Sequence, residues 1–269
     1  MDAIRLGPLV FSVPTLLALA AILAATGLAG LYRRRRGIDA GGAVWTVIAA
    51  GFIAARAVFV LRHHDLFLAK PWTMFDIRDG GFDRPVGLMV ACVVAAEIIR
   101  RQAPLRRPLL ASLMLGGAVW LGGALAAQAL APSAAPLPDL TVRRLDGSEI
   151  PLRSLAGKPM VVNLWATWCP PCRREMPALE AAQRAHPDIA FVFVNQGESA
   201  AAVAGFLADQ GLRMENVVLD PAARLAARTS SPGYPATLFY DAGAVLRARH
   251  TGELSEATLR EKLASLRKP

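Results

Sequence analysis

An apolar run from Met160 to Trp165 is followed four residues later by Cys169-Pro170-Pro171-Cys172, and a helical pattern begins at the first cysteine and continues through Met176. This order imposes a strand, a tight turn and a helix. It sets the first thiol at a helix N-terminus, where the backbone dipole stabilises a thiolate. The second thiol lies one turn on, close enough to attack a mixed disulfide formed at the first. In this setting a Cys-x-x-Cys reads as a redox pair and not as half of a zinc site.

The rest of the chain divides in two. Its 269 residues suggest about two domains, and 54% hydrophobic residues with a mean hydropathy of +0.37 call for membrane segments. Residues 1–131 carry 14 basic and 7 acidic side chains, against 16 and 14 in residues 132–269. The excess is arginine beside apolar segments, which points to membrane topology and away from nucleic acid. Aromatic residues are not interleaved with the basic ones as a single-strand binder requires. The third cysteine, Cys92, sits in an apolar run and reads as a small buried hydrophobe.

Four apolar segments are expected, at roughly Leu9–Leu31, Gly41–Leu61, Pro85–Ile99 and Leu109–Ala131. Arg33 to Arg36 follow the first, so it reads as an uncleaved span and not as a signal peptide, whose charges precede its apolar core. Arg100, Arg101, Arg106 and Arg107 separate the third segment from the fourth. Between the second and third, Arg62, Lys70, Arg78 and Arg84 balance Asp65, Asp76, Asp79 and Asp83, and Trp72 and Phe75 are candidate interfacial anchors. The positive-inside rule makes the two arginine loops cytoplasmic, so four spans leave both termini outside. The organisation expected is a multi-pass α-helical membrane domain over 1–131, a Pro/Ala linker over 132–138, and an α/β domain over 139–269 in the periplasm. If the short third segment only re-enters, the parity fails.

Within the last domain the patterning gives strands at Leu140–Val142, Glu149–Leu152, Pro159–Trp165, Ile189–Asn195, Asn216–Leu219, Ala236–Tyr240 and Val245–His250. Helices are expected at Pro170–Ala185, Ser199–Gln210 and Ser255–Leu266.

The block from Asn163 to Pro177, NLWATWCPPCRREMP, with the later Gly233-Tyr234-Pro235-Ala236-Thr237, resembles the membrane-tethered TlpA/ResA/CcmG-like thiol–disulfide oxidoreductases of the thioredoxin fold. The resemblance spans roughly residues 137–267. It implies a redox-active disulfide between Cys169, an exposed nucleophile, and Cys172, a buried resolving thiol. It implies that Glu175 is a buried carboxylate that raises thiol pKa and handles protons; a solvated first-turn glutamate favoured by the helix dipole is the alternative. Pro235 matches a cis-proline beside the dithiol, exposing the backbone of Tyr234 for strand-like pairing with substrate; an ordinary trans turn is the alternative. Trp168 either covers one side of the dithiol or simply packs there. Asn163 stands where thioredoxin itself has a buried acid. The resemblance further implies reduction of selected proteins, such as apocytochrome c or copper-assembly cysteines, with electrons from a DsbD/CcdA-like membrane thiol transporter. No cofactor and no metal are expected in the site.

Ala54 to Leu61 with Asp79-Gly80-Gly81-Phe82 resembles part of prolipoprotein diacylglyceryl transferase, although Asp83-Arg84-Pro85-Val86-Gly87 replaces that family's His-Gly-Gly. An arginine such as Arg56 inside a span is costly and marks a site or a structural partner for an acid such as Asp76. His63 and His64 read as interfacial polar residues. The alternatives to a reductase are therefore a disulfide oxidant, a copper-assembly thiol protein holding Cu(I) on the dithiol, and a lipid-modifying acyltransferase activity of the membrane half.

Overall fold

The computed structural model describes residues 3–6, 9–69, 71–130 and 135–266. Lys70 of the expected outward loop and residues 131–134, at the start of the expected linker, lie outside them. The chain divides into two units, residues 13–131 and residues 132–269 with 1–12.

A hairpin of β1 (Ala3–Leu6) and β2 (Leu9–Ser12) comes first, so the first expected span loses its opening residues to a strand. Helix α1 (Val13–Arg36) starts with Pro14 in its first turn, where a missing N–H removes no intrahelical bond. Then come α2 (Gly41–Arg62), α3 (His64–Ala69), α4 (Arg84–Arg101) and α5 (Arg106–Leu130). Among the described residues three segments are long and apolar enough to cross a membrane: α1, α2 and the stretch 103–130 that holds α5. Helix α4 occupies the third expected segment, but Arg84, Glu97, Arg100 and Arg101 shorten its uncharged part.

Helices α2 and α4 touch through glycine. A Cβ on Gly87 would lie 2.8 Å from that of Ala55, and one on Gly51 would lie 2.9 Å from the Gly87 carbonyl. This stripe explains a departure from expectation at Cys92, which is exposed: α4 turns Gly87 and Ala91 toward α2, and Cys92 falls beside that stripe.

Arg56 is buried on α2, and all five of its N–H groups are used. Nε donates to the Met74 carbonyl at 2.9 Å, and Nη2 donates to the carbonyls of Thr73 at 3.2 Å and Asp76 at 2.8 Å. Nη1 donates to the Gly81 carbonyl at 2.9 Å and to the Asp79 carboxylate at 2.9 and 3.2 Å. The acid partner is thus Asp79, while Asp76 offers its backbone oxygen. His63 is also buried, its Nδ1 3.1 Å from the Phe59 carbonyl.

The second unit holds β3 (Thr141–Arg144), β4 (Glu149–Pro151), β5 (Met160–Trp165), α6 (Pro170–Ala185), β6 (Ala190–Gln196), α7 (Ala200–Asp209), β7 (Val217–Asp220), α8 (Arg224–Arg228), β8 (Ala236–Tyr240), β9 (Leu246–Thr251) and α9 (Glu256–Leu266). The seven strands form one sheet in the order β4-β3-β7-β6-β5-β8-β9. Strands β5, β6 and β7 are parallel, and the remaining neighbours are antiparallel. This is the α/β architecture of a thioredoxin-like domain.

Strand β5 lies near the middle and is buried on both faces, as its apolar run requires. Met160, Val162 and Leu164 enter one core with Leu225 and Ala226 of α8. Val161 and Trp165 enter the other with Met176 of α6 and Leu259 and Leu263 of α9. The chain is docked from Ala135 onward: Leu246 N donates to the Ala135 carbonyl at 2.9 Å, and Leu137 is buried with its N–H on the Ala244 carbonyl at 2.8 Å. Leu137 is therefore core, and residues 135–137 of the segment assigned to the linker pack on the second unit.

Candidate active site

The turn after β5 runs through Ala166–Trp168 into α6, and Cys169 caps that helix with an extended backbone, φ −88° and ψ 106°. Pro170 and Pro171 fill the first two helical positions and supply no N–H. The Cys172 N–H is thereby the first donor of the helix, and it points at Cys169 Sγ from 3.3 Å. A thiolate on Cys169 would meet this N–H and the positive end of the helix dipole.

The two sulfurs are bonded, with an S–S distance of 2.05 Å. Cys172 is fully buried, as expected, but so is Cys169, at 2% exposure. Its sulfur is tied to that of Cys172 and sits in one apolar cluster with Trp165, Ala166 and Met176. The exposed group here is Trp168, at 65%, whose ring meets that of Tyr234 edge-on at 6.2 Å. The Tyr234–Pro235 peptide bond is cis, and Tyr234 packs against the cluster that holds the dithiol. Trp168 and Tyr234, far apart in sequence, thus meet beside Cys169.

Glu175 lies one turn beyond Cys172 and is buried, not solvated, at 1% exposure. Its Oε1 accepts from Asn163 Nδ2 at 2.8 Å, and its Oε2 accepts from the Leu254 N–H at 2.8 Å. Burial pushes its carboxyl up to about 8, against the two hydrogen bonds, which favour the charged form; the nearby charge of Glu253 adds to the rise. Asn163 faces Thr237 across the β5–β8 pair and donates to its Oγ1 at 3.0 Å.

Sequence reasoning assigned no role to the carboxylate of Glu198. Its Oε2 accepts from the Thr167 N–H at 2.7 Å and from Asn195 Nδ2 at 2.7 Å, while Oε1 accepts from Thr167 Oγ1 at 2.5 Å. Glu198 thus holds the turn that delivers Cys169. The available signal was topological: β6 pairs in parallel with β5, so the loop after β6 falls beside the loop after β5. Among the described residues no group of three or more His, Cys, Asp or Glu side chains is placed to hold a metal ion.

A family model described as Redoxin matches residues 132–263. The chain is 31% identical over 130 residues to the thioredoxin-like protein YneN of Bacillus subtilis (strain 168), covering 47% of this chain and 75% of that protein. It is 30% identical over 119 residues to the thiol-disulfide oxidoreductase ResA of Halalkalibacterium halodurans, covering 44% and 67%. Among solved structures, a secreted disulfide oxidoreductase of Mycobacterium tuberculosis shares 29% identity, with a TM-score of 0.43 over 48% of this chain and 96% of that one.

Proposed function

From the premise that this chain belongs to the Redoxin family of thioredoxin-fold thiol–disulfide oxidoreductases, we propose that it is a membrane-anchored reductase of protein disulfides. The carrying observation is the Cys169–Cys172 pair at the N-terminus of α6, with the Glu175 carboxyl buried one turn on. In the reduced protein, the Cys169 thiolate attacks one sulfur of a substrate disulfide, and the other substrate sulfur leaves as a thiolate. Cys172 loses its proton and attacks Cys169 Sγ. The reduced substrate departs and the Cys169–Cys172 disulfide remains. Two electrons pass to the substrate, and a membrane thiol donor of the DsbD/CcdA kind restores them. The substrate chain docks beside Trp168, Tyr234 and Pro235. The dithiol is the redox site, and Glu175, in its ionised form, takes the proton that Cys172 releases.

The direction of transfer is argued from Glu175. A strong oxidant keeps its reduced form stable as a thiolate. When ionised, a carboxylate buried one turn from the resolving thiol opposes a second negative charge there, which favours the reducing role.

Membrane placement is argued from arginine. Arg33–Arg36 end α1, and Arg100, Arg101, Arg106 and Arg107 lie between α4 and the body of α5. Both clusters face the cytoplasm only if α4 crosses back beside α2, and the Gly51–Gly87 contact supports that pairing. Four spans in a membrane domain over 1–131, joined through the segment 132–138 whose end packs on the second unit, then put the 139–269 domain in the periplasm.

The test uses Cys172→Ser in the full chain, which should accumulate mixed disulfides with substrate proteins through Cys169. No trapped species, together with exchange surviving Cys169→Ser, overturns the reading. A dithiol potential near about −270 mV supports reduction, and one near about −120 mV reverses the direction.

A further inference from the structure

Asn163 carries an unspent atom. Its Nδ2 donates to both Glu175 Oε1 and Thr237 Oγ1, while its Oδ1, at 0% residue exposure, meets no donor among the described residues. A buried amide oxygen without a partner is costly. The orientation of the amide is nevertheless dictated, because an ionised carboxylate can only accept.

We propose that Asn163 is a two-position switch that reads the proton on Glu175, presenting Nδ2 to the carboxylate and turning over to present Oδ1 to the carboxylic acid. The geometry at Glu175 and Thr237 accommodates the exchange. Leu254 N–H fixes Oε2 as an acceptor, so a proton on the carboxyl goes to Oε1, 2.8 Å from the amide. An O–H there cannot face an N–H donor. Once the amide turns, Oδ1 accepts from Oε1–H, and the Thr237 hydroxyl, a donor as well as an acceptor, turns with it. Nδ2 then occupies the place now held by the orphaned oxygen.

The consequence lies at the dithiol, and this rests on the oxidoreductase reading above. Asn163 shares its face of β5 with Val161 and Trp165, which belong to the cluster around Cys169 and Cys172. With Glu175 ionised, the unpartnered atom of Asn163 is an acceptor; with Glu175 protonated, it is a donor. The two states differ by one proton moved from sulfur to carboxylate: an S–H bond breaks, an O–H bond forms, and the electron pair stays on sulfur. Asn163 is a positioning residue in this scheme.

The groups around the carboxyl are few. Glu253, on the loop before α9, acts on it by charge and is itself paired with Arg174 of α6 at 2.9 Å. His250 of β9 places Nε2 3.2 Å from the Glu253 carbonyl. Strands β5 and β8 contribute Asn163 and Thr237, neither of which titrates.

The chain has three asparagines, Asn163, Asn195 and Asn216, so asparagine-selective ¹⁵N labelling of the full chain in detergent gives three side-chain amide pairs, and Asn163→Leu assigns one. Above the Glu175 midpoint, the Asn163 amide protons should show Overhauser contacts to Thr237. Below it these contacts should be lost, and in Glu175→Gln they should not change with pH. Contacts that persist across the midpoint in the native chain overturn the switch. The measurement needs no turnover: if Cys172→Ser traps substrate while the amide stays put, only the switch fails, and if the amide turns but nothing is trapped, the reductase reading fails.

Discussion

The carboxylate of Glu198 holds the backbone N–H of Thr167 at 2.7 Å, two residues before the cysteine that caps α6. It binds Thr167 Oγ1 and Asn195 Nδ2 as well, so one side chain ties the end of β6 to the turn after β5. Glu198→Ala strips three donors of their acceptor. Hydrogen bonds to a charged group contribute about 1.5–3 kcal/mol each, and Thr167 is only half-buried, so we expect a loss of about 2 kcal/mol in total. Thermal unfolding should show this. The rate of disulfide exchange should fall with it, because Cys169 depends on that turn for its place. Glu198→Gln keeps one acceptor oxygen and should recover part of both. A Glu198→Ala chain that melts and exchanges like the native one refutes the clamp.

Glu175 gives stability a pH dependence of definite sign. Its carboxyl ordinarily titrates at 4.5 and is raised to about 8 in the folded chain. Between these values the unfolded chain has lost the proton and the folded chain retains it. Stability therefore falls as pH rises through that window and levels off above it, by an amount on the order of 5 kcal/mol. Below the window both states are protonated and the term vanishes. Glu175→Gln removes the slope, so its stability should be flatter from pH 5 to 8 and should exceed the native value at pH 9. Parallel profiles for the two chains would falsify the assignment.

The path from sequence to site was uneven, and the reasons are physical. Helix α6 runs over the expected Pro170–Ala185 because its start is written locally, by a capping cysteine and two prolines that suit the first turn. Strand β8 keeps its expected bounds, Ala236–Tyr240, because Pro235 precedes it and Asp241 turns it. The burial of Cys169 was not legible, since it depends on a core assembled from β5, α6 and α9 and on the disulfide itself. Nor was the acid that meets Arg56. Asp76 and Asp79 are equivalent by composition, and only the 3₁₀ turns after Pro71 decide that Asp79 presents its carboxylate and Asp76 its carbonyl.

The glycine contact between α2 and α4 should be intolerant of bulk. In Gly87→Leu the new Cβ would lie 2.8 Å from Ala55 Cβ and 2.9 Å from the Gly51 carbonyl, so the backbones must part. Overpacking of this kind costs about 1–3 kcal/mol. Gly117→Ala on α5, with nothing within 4 Å of its new Cβ, is the matched control and should be neutral or stabilising. Melting of the two variants in the same detergent separates close packing from a general effect of altering glycine. Equal melting of both contradicts the contact.

Arg56 is the strongest case for a purely structural charge in the helical unit. Five N–H groups meet a carboxylate and four carbonyls, and the Phe59, Phe67 and Phe82 rings lie 5.6, 5.5 and 5.7 Å from the guanidinium. Arg56→Met leaves the Asp79 carboxylate buried without its arginine, although it still accepts from the Gly81 N–H at 3.0 Å, and should cost about 3–5 kcal/mol. Arg56→Lys should be nearly as harmful, since an ammonium with three donors cannot span carbonyls from Thr73 to Gly81. The diagnostic variant is Arg56→Met with Asp79→Asn, which removes the stranded charge yet keeps an acceptor for Gly81. It should regain more than half of the lost stability, while protease cleavage within residues 71–83 stays elevated because the four carbonyls still lack their donor. If Arg56→Met melts like the native chain and resists protease equally, the arginine does not hold this loop, and its burial must serve something other than the fold.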